Sequence, residues 1–336
     1  MSNSPSVNRR GFLNQSLAAA GTVAAAAATS ATPATAADAA GEASQAKDKF
    51  PCITIGKAKL SRMMLGGNLI AGFMHSRDLR YVNGLFRAYM TEDKILETLK
   101  VAEENGINTL FESGWEFVER YNRKYNGHMQ FIPHIKVEAG QTETDTANQV
   151  KRLVDAGAVA LYVWGVTSDQ LVMDGKVELL GRTVEIAKKQ GLPVGVGGHS
   201  LQVPVQCEKI GVPCDFYVKT LHSDAYASAT PKELRRDFMW MRGKNKIGDQ
   251  VIFYDNMWCI DPEETIAFMK TVKKPWVAYK VLAAGAFLPR EGFSFAFQNG
   301  ADLIAVGMLD FHIKSNCETA KKLIRLNQNR ERPWCA

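Results

Sequence analysis

The sequence predicts a parallel (β/α)8 TIM barrel, and three observations carry that expectation. Eight short, near-continuously apolar runs recur along the chain from Met63 onward. Most are separated by amphipathic segments with apolar residues at helical spacing, several of them ending in glycine. Parallel strands covered by helices read as apolar throughout rather than alternating. A doubly wound open sheet is the runner-up, but no G-x-G-x-x-G follows the first run.

The elements follow in order. "MMLGGN" is the first strand, over 63–68. "TEDKILETLKVAEENG" is a helix with Thr91 as N-cap, Ile95, Leu96, Leu99 and Ala102 on one face, and Gly106 as its stop. Strands are expected over 107–112, 130–137, 158–164 and 192–197, with helices in "TDTANQVKRLVDAG" and "KVELLGRTVEIAKKQG". The sixth strand spans 214–221. A long connection follows, expected to hold a helix and an extra strand, "QVIFYDN". The last two strands, 276–282 and 302–308, are followed by helices in "EGFSFAFQNG" and "CETAKKLIRLNQNR".

The first residues do not read as fold. Asn8-Arg9-Arg10-Gly11-Phe12-Leu13 precedes an alanine-rich apolar run, Leu17 to Ala28, and then Ala34-Thr35-Ala36. Paired arginines, a modest apolar region and an A-x-A site read as a twin-arginine signal peptide. The run is too short to span a membrane, and no later segment is apolar enough. The expected organisation is therefore a signal peptide over 1–36, a flexible lead-in over 37–55, the barrel over 56–330 and a tail over 331–336. The expected partner is the twin-arginine export machinery, and the destination is periplasmic or extracellular. That route carries proteins already folded, some with a cofactor inserted.

The chain carries 46% apolar residues, enough for a sizeable core, and a formal net charge of +6. Its basic residues are scattered among acids, so no nucleic-acid-binding stripe stands out. Cys52, Cys207, Cys214, Cys259, Cys317 and Cys335 form no C-x-x-C and no zinc-type spacing. Most read as small buried residues. Cys52 and Cys335 flank the domain and leave a late-formed disulfide open.

A TIM barrel works at the C-terminal ends of its strands. The polar residues expected there are Asn68, Glu112, Lys136, Glu138, His199, Lys219, His222, Lys280 and Asp310. In "GVGGHS", Gly195, Gly197 and Gly198 would let backbone approach a ligand closely beside His199 and Ser200. Lys136, Lys219 and Lys280, on apolar strands, suit Schiff-base or proton-abstraction chemistry in a sugar lyase, isomerase or aldolase. Glu112, His199, His222 and Asp310 would be the ligands of a divalent metal. Trp115, Trp164 and Trp258 would stack on sugar rings in a non-catalytic, carbohydrate-binding barrel.

The order of motifs resembles the aldo/keto reductase superfamily over roughly Leu60 to Leu326. "AEENGINTLFESG", "FIPHIKV", "GLPVGVGGHS" and "ADLIAVGMLDFHIKSNCETA" carry the resemblance. It implies hydride transfer from a nicotinamide cofactor, NAD(P), to a small carbonyl or sugar substrate. The family's tetrad is Asp, Tyr, Lys and His. Its tyrosine is the general acid, its lysine lowers the tyrosine's pKa, its aspartate supports the lysine, and its histidine orients the carbonyl. Here Glu112 stands at the aspartate, Phe117 at the tyrosine, Lys136 at the lysine and Gly165, beside Trp164, at the histidine. The resemblance therefore implies altered acid–base residues: Glu112 with Lys136, and His199 or His222 as replacement acid. Gly197, Gly198, Ser200, Lys314 and Asn316 are its implied cofactor contacts, although the family's arginine-rich phosphate clamp is missing.

Overall fold

The structure, a computed structural model, describes residues 50–75, 79, 81–138, 140–239 and 257–335, and the backbone of 246–247 and 250–251. The expected signal peptide and most of the lead-in lie outside the described residues.

The apolar runs form eight parallel strands: β3 (Met63–Gly66), β4 (Thr109–Glu112), β5 (Gln130–Ile135), β6 (Leu161–Val163), β7 (Val194–Gly198), β8 (Phe216–Thr220), β11 (Trp276–Tyr279) and β12 (Leu303–Val306). They close into a barrel in the order β3-β4-β5-β6-β7-β8-β11-β12. Ten helices lie among the described residues: α1 (Val82–Tyr89), α2 (Glu92–Glu104), α3 (Glu116–Tyr125), α4 (Glu143–Asp155), α5 (Gly165–Met173), α6 (Val177–Lys188), α7 (Gln202–Ile210), α8 (Pro262–Thr271), α9 (Pro289–Gln298) and α10 (Asp310–Leu326). Most fill strand-to-strand crossovers, which parallel neighbours require. No helix of the described residues is long and apolar enough to cross a membrane.

Strand alternation sorts the core into two layers. Met64, Phe111, Ile132, Phe216, Val218 and Val277 fill the barrel interior. Leu65, Leu110, Tyr217, Trp276 and Ala278 face the helices. A β-hairpin, β1 (Cys52–Ile55) with β2 (Ala58–Ser61), adds Ile53, Ile55, Ala58 and Leu60 to the interior cluster. It leads directly into β3, so it closes the end of the barrel where the strands begin. The last part of the expected lead-in is therefore packed strand, because Ile53 and Ile55 alternate inward.

The same end is tied by the chain's C-terminus. Asp302, fully buried, binds Arg330 at 2.9 Å and Arg332 at 2.6 Å. It also accepts the backbone N–H groups of Trp276 and Cys335. The Trp334 ring lies 4.5 Å from the Arg62 guanidinium and 3.5 Å from that of Arg330. A buried carboxylate met by two guanidiniums and two N–H donors is a fully satisfied one. The six cysteines are free thiols, with Cys52 and Cys335 half-buried.

The connection before β11 holds a helix, α8, and a strand, β10 (Gln250–Val251), at the start of "QVIFYDN", paired with β9 (Lys246–Ile247), besides a short 3-10 turn (Lys232–Leu234); the rest of "QVIFYDN" lies outside the described residues. Two local expectations change. Helix α10 begins at Asp310, not at Cys317. Helices α5 and α7 arise without an amphipathic signal: α5 starts on a glycine and α7 carries Pro204 in its first turn.

Candidate active site

A cleft of about 590 Å³ opens at the C-terminal ends of β3, β4, β11 and β12. Its walls are mostly apolar, among them Leu69, Phe86, Leu282, Phe287 and Met308. Few polar side chains enter it. Glu112, Lys280, His75 and Tyr279 gather at one part, and His312, Ser315 and Asn316 of α10 at another. Apolar clefts of this size with a few convergent polar groups are the usual form of small-ligand sites.

Glu112 and Lys280 reach the cleft by breaking strand alternation. In β4, Phe111 points inward, so continued alternation would turn Glu112 toward the helices. In β11, Val277 and Tyr279 point inward, and Lys280 would likewise turn out. Both residues instead adopt left-handed backbone, with φ of 86° for Glu112 and 58° for Lys280. Each such residue costs on the order of 1–3 kcal/mol and persists where its surroundings impose it, often at functional sites.

Their partners are defined. Oε1 of Glu112 accepts the indole N–H of Trp164 at 2.9 Å. Burial pushes the Glu112 carboxyl above its usual range, against the opposing pull of Lys280, the Trp164 bond and Lys136. The Lys280 ammonium donates to His75 Nε2 at 2.6 Å and lies 4.2 Å from the Trp258 ring centroid. The Tyr279 hydroxyl is enclosed, and burial with the negative charge of Asp169 and Glu112 holds it firmly protonated.

Several expected site residues stand elsewhere. Lys136 is exposed, 5.0 Å from the Trp164 ring centroid, outside the cleft because β5 ends at Ile135. Lys219 is fully buried but faces the helix layer, since Phe216 and Val218 take the inward places on β8. Its Nζ donates to the carbonyl and hydroxyl of Thr220. His222 is a structural clamp: Nδ1 donates to the Ser223 carbonyl, and Nε2 accepts the N–H groups of Trp258 and Cys259. His199 Nδ1 donates to Asp169 at 2.7 Å. Asp169 also accepts the backbone N–H groups of His199 and Ser200. Ser200 donates its hydroxyl to Asp237 and accepts the Gln202 N–H.

The glycines of "GVGGHS" serve packing. A Cβ on Gly195 would lie 2.3 Å from the Phe216 ring, on Gly197 2.9 Å from the Gly165 nitrogen, and on Gly198 2.6 Å from Val203. None of the three lines the cleft. Of the expected cofactor contacts, Asn316 lines it, while Lys314 is exposed outside it. Asp310 is partly buried outside the cleft, bonded to Tyr89 and Lys94. The expected metal set is thus dispersed, and no group of three metal-ligating side chains occurs among the described residues.

Three polar cleft residues escape the sequence reading, His312 of α10 among them. Tyr279 looks like strand core, and His75 lies in a loop without periodicity. Inward parity on the seventh barrel strand is the signal that finds Tyr279; His75 has none.

No protein-family profile matches the chain, and no curated protein sequence matches it. Solved structures are similar in fold. Two from Pseudomonas aeruginosa, each provisionally assigned as an aldo-keto reductase, have 16% and 15% identity and TM-scores of 0.54 and 0.53. Each match covers 84% of this chain and 99% of the other. An aldo-keto reductase from Bacillus halodurans, in its holo form, is 12% identical with a TM-score of 0.48, over 82% of this chain and 96% of that one. At such identities the likeness to the two Pseudomonas aeruginosa structures speaks for the fold alone, the parallel (β/α)8 barrel.

Proposed function

We propose that the protein is an oxidoreductase that moves a hydride between a nicotinamide cofactor and a small carbonyl compound in this cleft. The observation that carries the reading is the left-handed backbone of Glu112 and Lys280, which sets an acid and an ammonium against one largely apolar cavity. The aldo-keto reductase fold of the similar structures supports the reaction class.

The cleft fits a dinucleotide by its size and by the donor set at the first turns of α10. His312, Ser315 and Asn316 would hold the adenosine side. Among the described residues lining the cleft, Lys280 is the one lysine and there is no arginine. A 2′-phosphate therefore finds no dedicated cation, and NADH is the expected form. When bound, the dinucleotide supplies or accepts the hydride.

The chain's own residues handle the proton. In reduction, the carbonyl carbon gains the hydride and its oxygen gains the proton of the Glu112 carboxyl. Burial keeps that carboxyl protonated into a higher pH range than a solvated glutamate. Glu112 is left as a carboxylate, stabilised by the Trp164 N–H and the Lys280 charge. Oxidation of the alcohol runs the same steps in reverse. The apolar walls limit water around these charges. The Arg9-Arg10 pair further supports export by the twin-arginine route.

Following NADH oxidation with a panel of aldehydes and ketones tests the reading. Turnover that collapses in Glu112→Gln is expected; a panel without turnover would overturn it.

A further inference from the structure

Six large apolar side chains among the described residues are more than half exposed, and five of them, Phe73, Tyr81, Leu85, Leu288 and Phe311, stand on segments around the mouth of the cleft. Phe73 follows β3, Leu288 follows β11 and Phe311 follows β12, three strands that are neighbours in the barrel. Phe73 and Leu288 line the cleft themselves, and so does Phe86, next to Leu85. The Phe311 ring meets Tyr89 of α1 edge-on at 6.3 Å and His312 of the cleft wall at 4.4 Å, centroid to centroid. Single apolar residues scattered over a surface are ordinary, whereas a contiguous group marks an interaction surface.

Helix α1 shows the same imbalance. Phe86 is its one fully buried side chain. Tyr81, Leu85 and Tyr89 recur every four residues, which sets them along one side of the helix. The charges of the rim are one-sided as well. Arg87 of α1, Arg290 of α9 and Lys314 of α10 are exposed, and none of them forms an ion pair among the described residues. The acids beside them are engaged: Asp310 accepts from Tyr89 and Lys94, and Glu291 accepts the Leu288 N–H.

We propose that this rim seats the barrel mouth on a bilayer of anionic lipids. The apolar residues come from separate segments around an opening, so they offer a peptide no continuous ridge or groove. A folded protein laid across them would span an unfilled cleft. A bilayer needs no matching shape. The apolar side chains enter the boundary between headgroups and acyl chains, and Arg87, Arg290 and Lys314 meet the headgroup phosphates. The cleft then opens toward the acyl chains. The surface stands apart from the oxidoreductase reading, since no step of that reaction needs it.

The test is co-sedimentation of the full chain with vesicles of phosphatidylcholine alone, or of phosphatidylcholine and phosphatidylglycerol in equal parts. The mixed vesicles should bind about 100-fold more tightly, roughly fivefold for each of the three basic residues. Leu85→Ser combined with Phe311→Ser should weaken that binding by at least about tenfold, since two apolar side chains lose their burial. Both residues are exposed and neither lines the cleft, so the variant should fold as the wild type does. Hydrogen exchange then locates the contact, because the residues preceding the barrel are the same in both proteins. Mixed vesicles should slow exchange in α1 and at the start of α10 in the wild-type protein, and not in the variant. Equal binding to the two kinds of vesicle, binding that the double variant retains, or slowing confined to other segments would overturn the proposal. Slowing in α1 that appears without lipid as protein concentration rises would give the rim to a second copy of the chain and overturn it too.

Discussion

Trp164 donates its indole N–H to Glu112 across two strand ends, at 2.9 Å. The bond fixes one carboxyl oxygen and favours the ionised form, while burial favours the neutral one. Burial is the larger effect, so the Glu112 carboxyl keeps its proton above the usual carboxylate range.

Reduction should therefore fall as pH rises through the elevated Glu112 pKa, because the proton to be given is lost. Trp164→Phe removes a bond made to the carboxylate, so the pKa rises further and the fall moves to higher pH. Glu112→Gln should lower kcat by about 100-fold or more. The pH profiles of kcat for the three proteins are the check.

Lys280 and Lys136 should separate cleanly. Lys280 lines the cleft, while Lys136 is exposed beside it. Lys280→Met should cut kcat/KM by at least about tenfold, the equivalent of roughly 1.4 kcal/mol. Lys136→Met should leave it nearly unchanged. Equal losses in the two variants would move the site toward the β5 side of the barrel.

Gly198→Ala tests whether the glycine-rich strand end packs or binds. The added Cβ would lie 2.6 Å from Val203. Stability should fall by about 1–3 kcal/mol, the usual cost of overpacking, with cofactor affinity intact. Urea denaturation and a cofactor titration of the same sample read both.

Acid should weaken the fold through His222. Burial lowers its pKa from 6.5 to about 4, and its Nε2 accepts two backbone N–H groups that a protonated ring would lose. The unfolded chain takes up this proton near pH 6.5 and the folded protein does so only near pH 4. Stability is thus complete above the higher value and falls as pH drops to the lower, by on the order of 3 kcal/mol. His222→Gln keeps an acceptor without the titration. Its urea midpoint should decline less over that interval than the wild-type midpoint.

The barrel was legible because its eight strands are apolar on both faces, and each observed barrel strand falls within an expected run except β7, which ends at Gly198, one residue beyond it. The site was less so. Period-two alternation assigns Glu112 and Lys280 to the helix layer, and the left-handed turns that redirect them carry no glycine to announce them. Lys136 follows a strand that ends one residue too early to aim it inward. His199 and His222 look like rim residues in sequence, but His199 is spent on Asp169 of α5 and His222 on the loop of Trp258 and Cys259. Tyr279 is hidden because an inward tyrosine on a strand reads as core until its hydroxyl is found unpaired.

The most direct test of the central claim is a calorimetric titration of the purified protein with NADH and, separately, NADPH. Saturable one-to-one binding of NADH, tighter than NADPH and weakened by Ser315→Trp at the cleft wall, is the predicted result. Absence of saturable binding by either nucleotide would contradict the assignment of this cleft to a nicotinamide-dependent oxidoreductase.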